Sequence, residues 1–105
     1  MRRRGRIDAS QRGIIEALRA AGCTVVSLAN VGNGCPDLLI GYGGRTTLLE
    51  VKSPRARYRQ GKVENATRDR QVQWADRWRG DTPWTVMTVD GALKAVGVSA
   101  TVRIG

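Results

Sequence analysis

Histidine is absent from the 105 residues. Its absence excludes Ser-His-Asp and Cys-His catalysis and every histidine-containing zinc site. Cysteine is scarce, with Cys23 and Cys35 alone. Two thiols cannot build an all-cysteine zinc site, and in a cytosolic chain they read as small buried apolar residues rather than a disulfide. No apolar run approaches the roughly 18 residues that a membrane-spanning helix needs. Asp8, Gln11 and Arg12 interrupt any apolar stretch that would turn the arginines at positions 2 to 4 into the head of a signal peptide. A cytoplasmic protein that meets no membrane is expected. Acidic side chains are also few: 9 Asp and Glu face 18 Lys and Arg.

The resulting net charge of +9 on 11.5 kDa gives a pI near 11. A field of this strength on one small domain attracts polyanions, and nucleic acid is the foremost polyanion of a cytoplasm. Hydrophobic residues at 41% and charged residues at 26% are ordinary for a folded domain. An enzyme built from this inventory works with carboxylates, lysine, arginine and a metal held by oxygen, and needs no small organic cofactor.

Residues 1 to 7 (MRRRGRI) read as a basic arm whose Arg3 and Arg4 touch phosphates, and residues 8 to 105 as a single domain. From Asp8, the spacing of Ile14, Ile15, Leu18 and Ala21 predicts a helix, with Asp8 or Ser10 as N-cap and Gly22 at its end. Cys23 to Ala29 reads as a strand. Asp37 to Gly41 and Thr46 to Lys52 read as two more, joined by a hairpin through Gly43 and Gly44. These glycines are turn residues and no phosphate cradle, because no helix follows them. Residues 53 to 66 form a basic loop carrying Arg55, Arg57, Arg59 and Lys62, placed to bind nucleic acid beside the third strand. Thr67 to Arg79 predicts a helix with Val72, Trp74, Ala75 and Trp78 on its apolar side. A strand over Trp84 to Val89, a helix over Asp90 to Val96 capped by Asp90, and a strand over Thr101 to Ile104 complete the order α-β-β-β-α-β-α-β. This is an α/β domain with a central mixed sheet flanked by helices.

One constellation carries chemistry. Side chains alternate along a strand, so Glu50 and Lys52 share one face while Leu49 and Val51 share the other. A hairpin sets Asp37, which opens one strand, beside the end of its antiparallel partner. Two carboxylates and an ammonium then converge at one sheet edge. Mg²⁺ prefers such hard oxygen ligands, so Asp37 and Glu50, with the Val51 carbonyl as a third donor, suit a metal that assists phosphodiester hydrolysis. Mn²⁺ is able to substitute. Lys52 is placed to orient water or stabilise the charged transition state. On spacing alone, a turn Asp and an exposed Glu-Lys pair fit better; the predicted hairpin, the apolar strand around Glu50 and the basic chain reverse that in favour of the site. Trp74, Trp78 and Trp84 could stack on unpaired bases, and Trp74 and Trp78, four apart on a helix, read first as core or dimer contacts.

The segment GCPDLLIGYGGRTTLLEVKSP resembles the catalytic hairpin of the PD-(D/E)XK nuclease superfamily. From about Asp8 to Gly97 the chain is similar to the virus-type replication-repair (VRR-NUC) nucleases, and more distantly to archaeal Holliday junction resolvases. The matching features are the helix end Leu18-Arg19-Ala20-Ala21-Gly22, the hairpin, and Gln71-Val72-Gln73-Trp74. The resemblance implies a restriction-endonuclease-like core, divalent-metal-dependent DNA cleavage, often a homodimer, and a bacterial or phage-infected host cell. It assigns metal ligation to Asp37 and Glu50, the catalytic lysine to Lys52, and an active-site glutamine to Gln71. The glutamate that relatives carry on the first helix is Gln11 here, and Glu16, elsewhere on that helix, reads as a surface residue. The expected function is a Mg²⁺-dependent DNA endonuclease, acting on branched or flapped substrates. The alternative is a basic nucleic-acid-binding module on a nuclease fold with little or no activity.

Overall fold

The computed structural model describes residues 2–52 and 62–98, with side chains described over 11–52 and 69–98. The order is α1 (Arg2–Ala20), β1 (Thr24–Ser27), β2 (Leu38–Tyr42), β3 (Arg45–Val51), α2 (Lys62–Arg77), β4 (Trp84–Val86) and α3 (Val89–Val96). The strands form one sheet in the order β1-β2-β3-β4, antiparallel except for the parallel β3–β4 pair. A parallel neighbour requires a crossover, and α2 lies in it. The mixed, helix-flanked α/β core expected from the sequence is present, and the strand read over Thr101 to Ile104 lies outside the described residues.

The β2–β3 hairpin turns on Gly43 and Gly44, both with positive φ (58° and 79°). Two left-handed residues match the twist of the flanking strands, and only glycine adopts them twice in succession without strain. The turn fixes the register at Tyr42 opposite Arg45 and Leu38 opposite Leu49. One sheet face therefore carries Val25, Leu38, Ile40, Leu49 and Val86. These pack with Ile14 and Leu18 of α1 and Ala92, Ala95 and Val96 of α3 into the core. Leu38 and Leu49 are fully buried, and truncating either to alanine would cost about 2–5 kcal/mol, a large share of a small domain's stability. Because they adjoin Asp37 and Glu50 in sequence, the same packing holds the start of β2 and the end of β3 together.

Several boundaries differ from the sequence reading. α1 begins at Arg2, so Arg3 and Arg4 ride on its helical turns and neither Asp8 nor Ser10 is its N-cap. α2 starts at Lys62, drawing the end of the expected basic loop into a helix; Arg55, Arg57 and Arg59 lie outside the described residues. α3 is capped by Thr88, whose hydroxyl accepts the Gly91 N–H at 3.0 Å, and Asp90 sits inside its first turn. The predicted apolar side of α2 is not buried. Val72 and Trp78 are 53% and 42% exposed, Ala75 is exposed and Trp74 half-buried. Trp78 stacks on Trp74 instead, with ring centroids 4.9 Å apart, and donates its indole N–H to the Asp81 carbonyl. The two rings close the C-terminal end of α2 against each other and contribute nothing to the core. Cys23 is buried and Cys35 half-buried, and both are free thiols.

Candidate active site

The site lies where β2 begins and β3 ends. Since Leu38 pairs with Leu49, the next step outward brings Asp37 beside Glu50. Asp37 is anchored twice: Oδ2 accepts the Val51 N–H at 2.7 Å, and its carbonyl accepts the Leu28 N–H at 2.8 Å. Pairing on both flanks, to β2 and to β4, holds β3 as a central strand, and the Lys52 N–H extends the β4 side by donating to the Val86 carbonyl at 2.9 Å. Glu50 projects from the face opposite Leu49, as strand alternation requires.

Gln71 reaches this edge from the middle of α2. Its Nε2 donates to Glu50 Oε2 at 2.7 Å while its Oε1 accepts from Lys52 Nζ at 2.8 Å. Lys52 Nζ also lies 3.9 Å from Glu50 Oε2, a loose ion pair. The amide spans the anion and the cation, so neither collapses fully onto the other.

Burial is the main influence on both carboxyls. Only 13% of the Glu50 side chain is exposed. Desolvation, with the neighbouring Asp37 charge second, pushes Glu50 from 4.5 to about 7, against the pull of Lys52. Asp37 is raised as well by desolvation, opposed by the Val51 N–H. A hydrogen bond between the two side chains raises Glu50 and lowers Asp37, the sense expected when Glu50 carries the proton and donates it. Two crowded carboxyls that are both raised by burial form a site that favours added positive charge, and their hard oxygens fit a divalent ion.

The structure thus brings together Asp37, Glu50, Lys52 and Gln71 and sets Val51 within the same edge. It does not join Gln11 to them. Gln11 is half-buried on α1 and makes no side-chain hydrogen bond among the described residues, and Glu16 is exposed. No third His, Cys, Asp or Glu completes a metal-holding group among the described residues. Sequence reasoning missed Cys35, which stands close enough to both carboxylates for their charges to push its thiol up, after desolvation. It also missed the close approach of Gly34 to α2. The Gly-x-Pro-Asp spacing was the only available signal for either.

A mixed sheet with helices, bearing an acidic pair and a lysine at the hairpin edge, defines the restriction-endonuclease-like core of PD-(D/E)XK nucleases. The model of the archaeal Holliday junction resolvase (Hjc) family matches residues 1–98, and the chain belongs to that family. The match thus falls on the group whose resemblance in the sequence was the more distant one. No curated protein and no solved structure matches the chain significantly.

Proposed function

We propose that the protein is a divalent-metal-dependent endonuclease that cuts DNA at branched structures, with the four-way junction as its substrate. The observation that carries this reading is the Asp37–Glu50–Lys52–Gln71 cluster at one sheet edge, in a chain of net charge +9 that belongs to a resolvase family. Asp37 and Glu50, with the Val51 carbonyl, would hold the ion, and Gln11 is the further candidate on α1. Such an ion, when bound, acidifies water and offsets charge that develops on the phosphate.

The protein's own groups do the rest. Glu50 would release its proton to solvent when it and Asp37 held a cation, and its raised value sets that exchange near neutral pH. Lys52, fixed by Gln71 rather than neutralised by Glu50, keeps an ammonium available for the charged phosphate. Arg3, Arg4, Arg55, Arg57, Arg59 and Lys62 supply the phosphate contacts that bind DNA without reading its sequence. The chain acts as a homodimer, because a junction offers paired strands and the sheet face opposite the core carries exposed apolar surface among the described residues. That face carries Val26, 46% exposed, and half-buried Leu39 and Leu48. Among the described residues, no helix is long and apolar enough to cross a membrane.

The alternative, a basic DNA-binding module with little activity on the same fold, is favoured by the acidic pair standing without a third metal-ligating side chain among the described residues. Incubating the protein with a four-way junction and a linear duplex, in Mg²⁺, Mn²⁺ or chelator, separates the two. Metal-dependent incision of the junction supports the nuclease, and tight binding without incision in either metal supports the module.

A further inference from the structure

We propose that Gly34 is a positioning residue of this centre: its missing side chain lets α2 seat directly on the loop before β2, and this seating places Gln71 across Glu50 and Lys52. The inference rests on the nuclease reading above for its activity arm, but the geometry stands independently. A Cβ at Gly34 would overlap the Arg70 carbonyl and lie 2.9 Å from the Gln71 nitrogen. Both are backbone atoms inside a helix, which cannot swing aside as a side chain would. The residue immediately concerned is the one whose side chain makes both bridging hydrogen bonds.

The loop is built as a firm seat. Gly32, Asn33 and Gly34 take positive φ in succession (71°, 53° and 85°). The Cys35 N–H closes onto the Gly32 carbonyl at 3.1 Å, and the Leu28 N–H onto the Asp37 carbonyl at 2.8 Å. The loop that presents Asp37 is therefore the loop that receives α2. Among the described side chains of the helix, Val72, Ala75 and Trp78 face solvent, and the two hydrogen bonds of Gln71 are its links to the sheet. Displacing α2 by the width of a methyl group separates Gln71 from Glu50 and Lys52 while the core of α1, α3 and the sheet stays intact.

Gly32→Ala supplies the control, because Gly32 has φ +71° but open space where its Cβ would go. It introduces left-handed strain without overlap. Four variants are compared with the wild type: Gly34→Ala, Gly32→Ala, Gln71→Ala and the Gly34→Ala/Gln71→Ala double. In metal-free protein, the Gln71 side-chain amide is followed by ¹⁵N NMR, with circular dichroism reporting the fold. Gly34→Ala moves the Gln71 amide to the shift and exchange rate of a solvated glutamine, and Gly32→Ala leaves it in place. In cleavage of a four-way junction with Mg²⁺, Gly34→Ala and Gln71→Ala each lower kcat roughly 10- to 100-fold with little change in KM. The double variant is no slower than Gln71→Ala, as expected for residues acting through one contact. An unshifted Gln71 amide in folded Gly34→Ala, or losses that multiply in the double variant, would overturn the proposal. If Gly34→Ala unfolds, Gly34→Asn, which tolerates the left-handed conformation but keeps the overlap, takes its place with the same two readouts. A wild type that shows the bonded Gln71 amide but cuts no DNA contradicts the nuclease reading and leaves the positioning role to the NMR arm.

Discussion

Gln71 and Glu50, separated by 21 residues of chain, meet through a 2.7 Å hydrogen bond from amide to carboxylate. The same glutamine accepts a bond from Lys52, so one neutral side chain sets the spacing of Glu50 and Lys52. Replacing Gln71 with alanine lets Lys52 close onto Glu50 from 3.9 Å and tie up both charges. Cleavage should fall roughly 10- to 100-fold while junction affinity is unchanged. Equal rates for the two proteins would show that the bridge serves only packing.

The raised carboxyls predict a pH dependence of stability. Glu50 titrates near 4.5 in ordinary surroundings and at about 7 in the fold, so between these values the folded chain binds more protons than the unfolded one. Stability then falls as pH rises through that window, and raised Asp37 acts in the same sense. Thermal melts of metal-free protein should show Tm dropping from about pH 5 to about pH 7.5, with Glu50→Gln flattening the trend. Mg²⁺ should raise Tm more at the alkaline end, where it no longer competes with a proton. A Tm that climbs across the window contradicts the assignment.

Most of the candidate cluster was legible in the sequence because its geometry is local. Asp37, Glu50 and Lys52 sit on one hairpin, where alternation and a two-glycine turn determine which side chains meet. Gln71 was legible only through family resemblance, since nothing in a helix sequence says which strand it faces. The burial expected for one side of α2 fails for a related reason: Val72 and Trp78 fit a buried stripe by spacing, but the described part of the helix meets the sheet through a polar bridge and a glycine loop. The start of α1 lies earlier than its apolar pattern suggests because arginine, common in loose basic arms, is also a good helix former. Thr88 rather than Asp90 caps α3; both are good caps, and only the chain path distinguishes them.

The proposed dimer rests on apolar surface exposed among the described residues. Val26, Leu39 and Leu48 lie on the sheet face opposite the core, where Val26 is 46% exposed and Leu39 and Leu48 half-buried, and Trp84 is 55% exposed. A second copy of the chain should cover such a surface. Light scattering should return twice 11.5 kDa, and a single-chain mass at all concentrations would contradict the dimer.

Gln11 bears on metal affinity. If it completes the ligand set, Gln11→Glu adds a negative charge and lowers the Mg²⁺ concentration for half-maximal cleavage, while Gln11→Ala raises it. Such a two-carboxylate site should also favour Mn²⁺, which binds N/O ligands more strongly. Coincident titrations of the three proteins would remove Gln11 from the site.

The most direct test of the account is junction cleavage by the wild type and Glu50→Ala side by side, with binding measured on the same preparations. The wild type should incise a four-way junction with Mg²⁺ and stop when the metal is chelated. Glu50→Ala should bind the junction normally and cut at least about 10²-fold more slowly, since affinity is spread over the arginines while charge handling at the cut phosphate is concentrated in one cluster. Cleavage by Glu50→Ala at the wild-type rate would contradict the account.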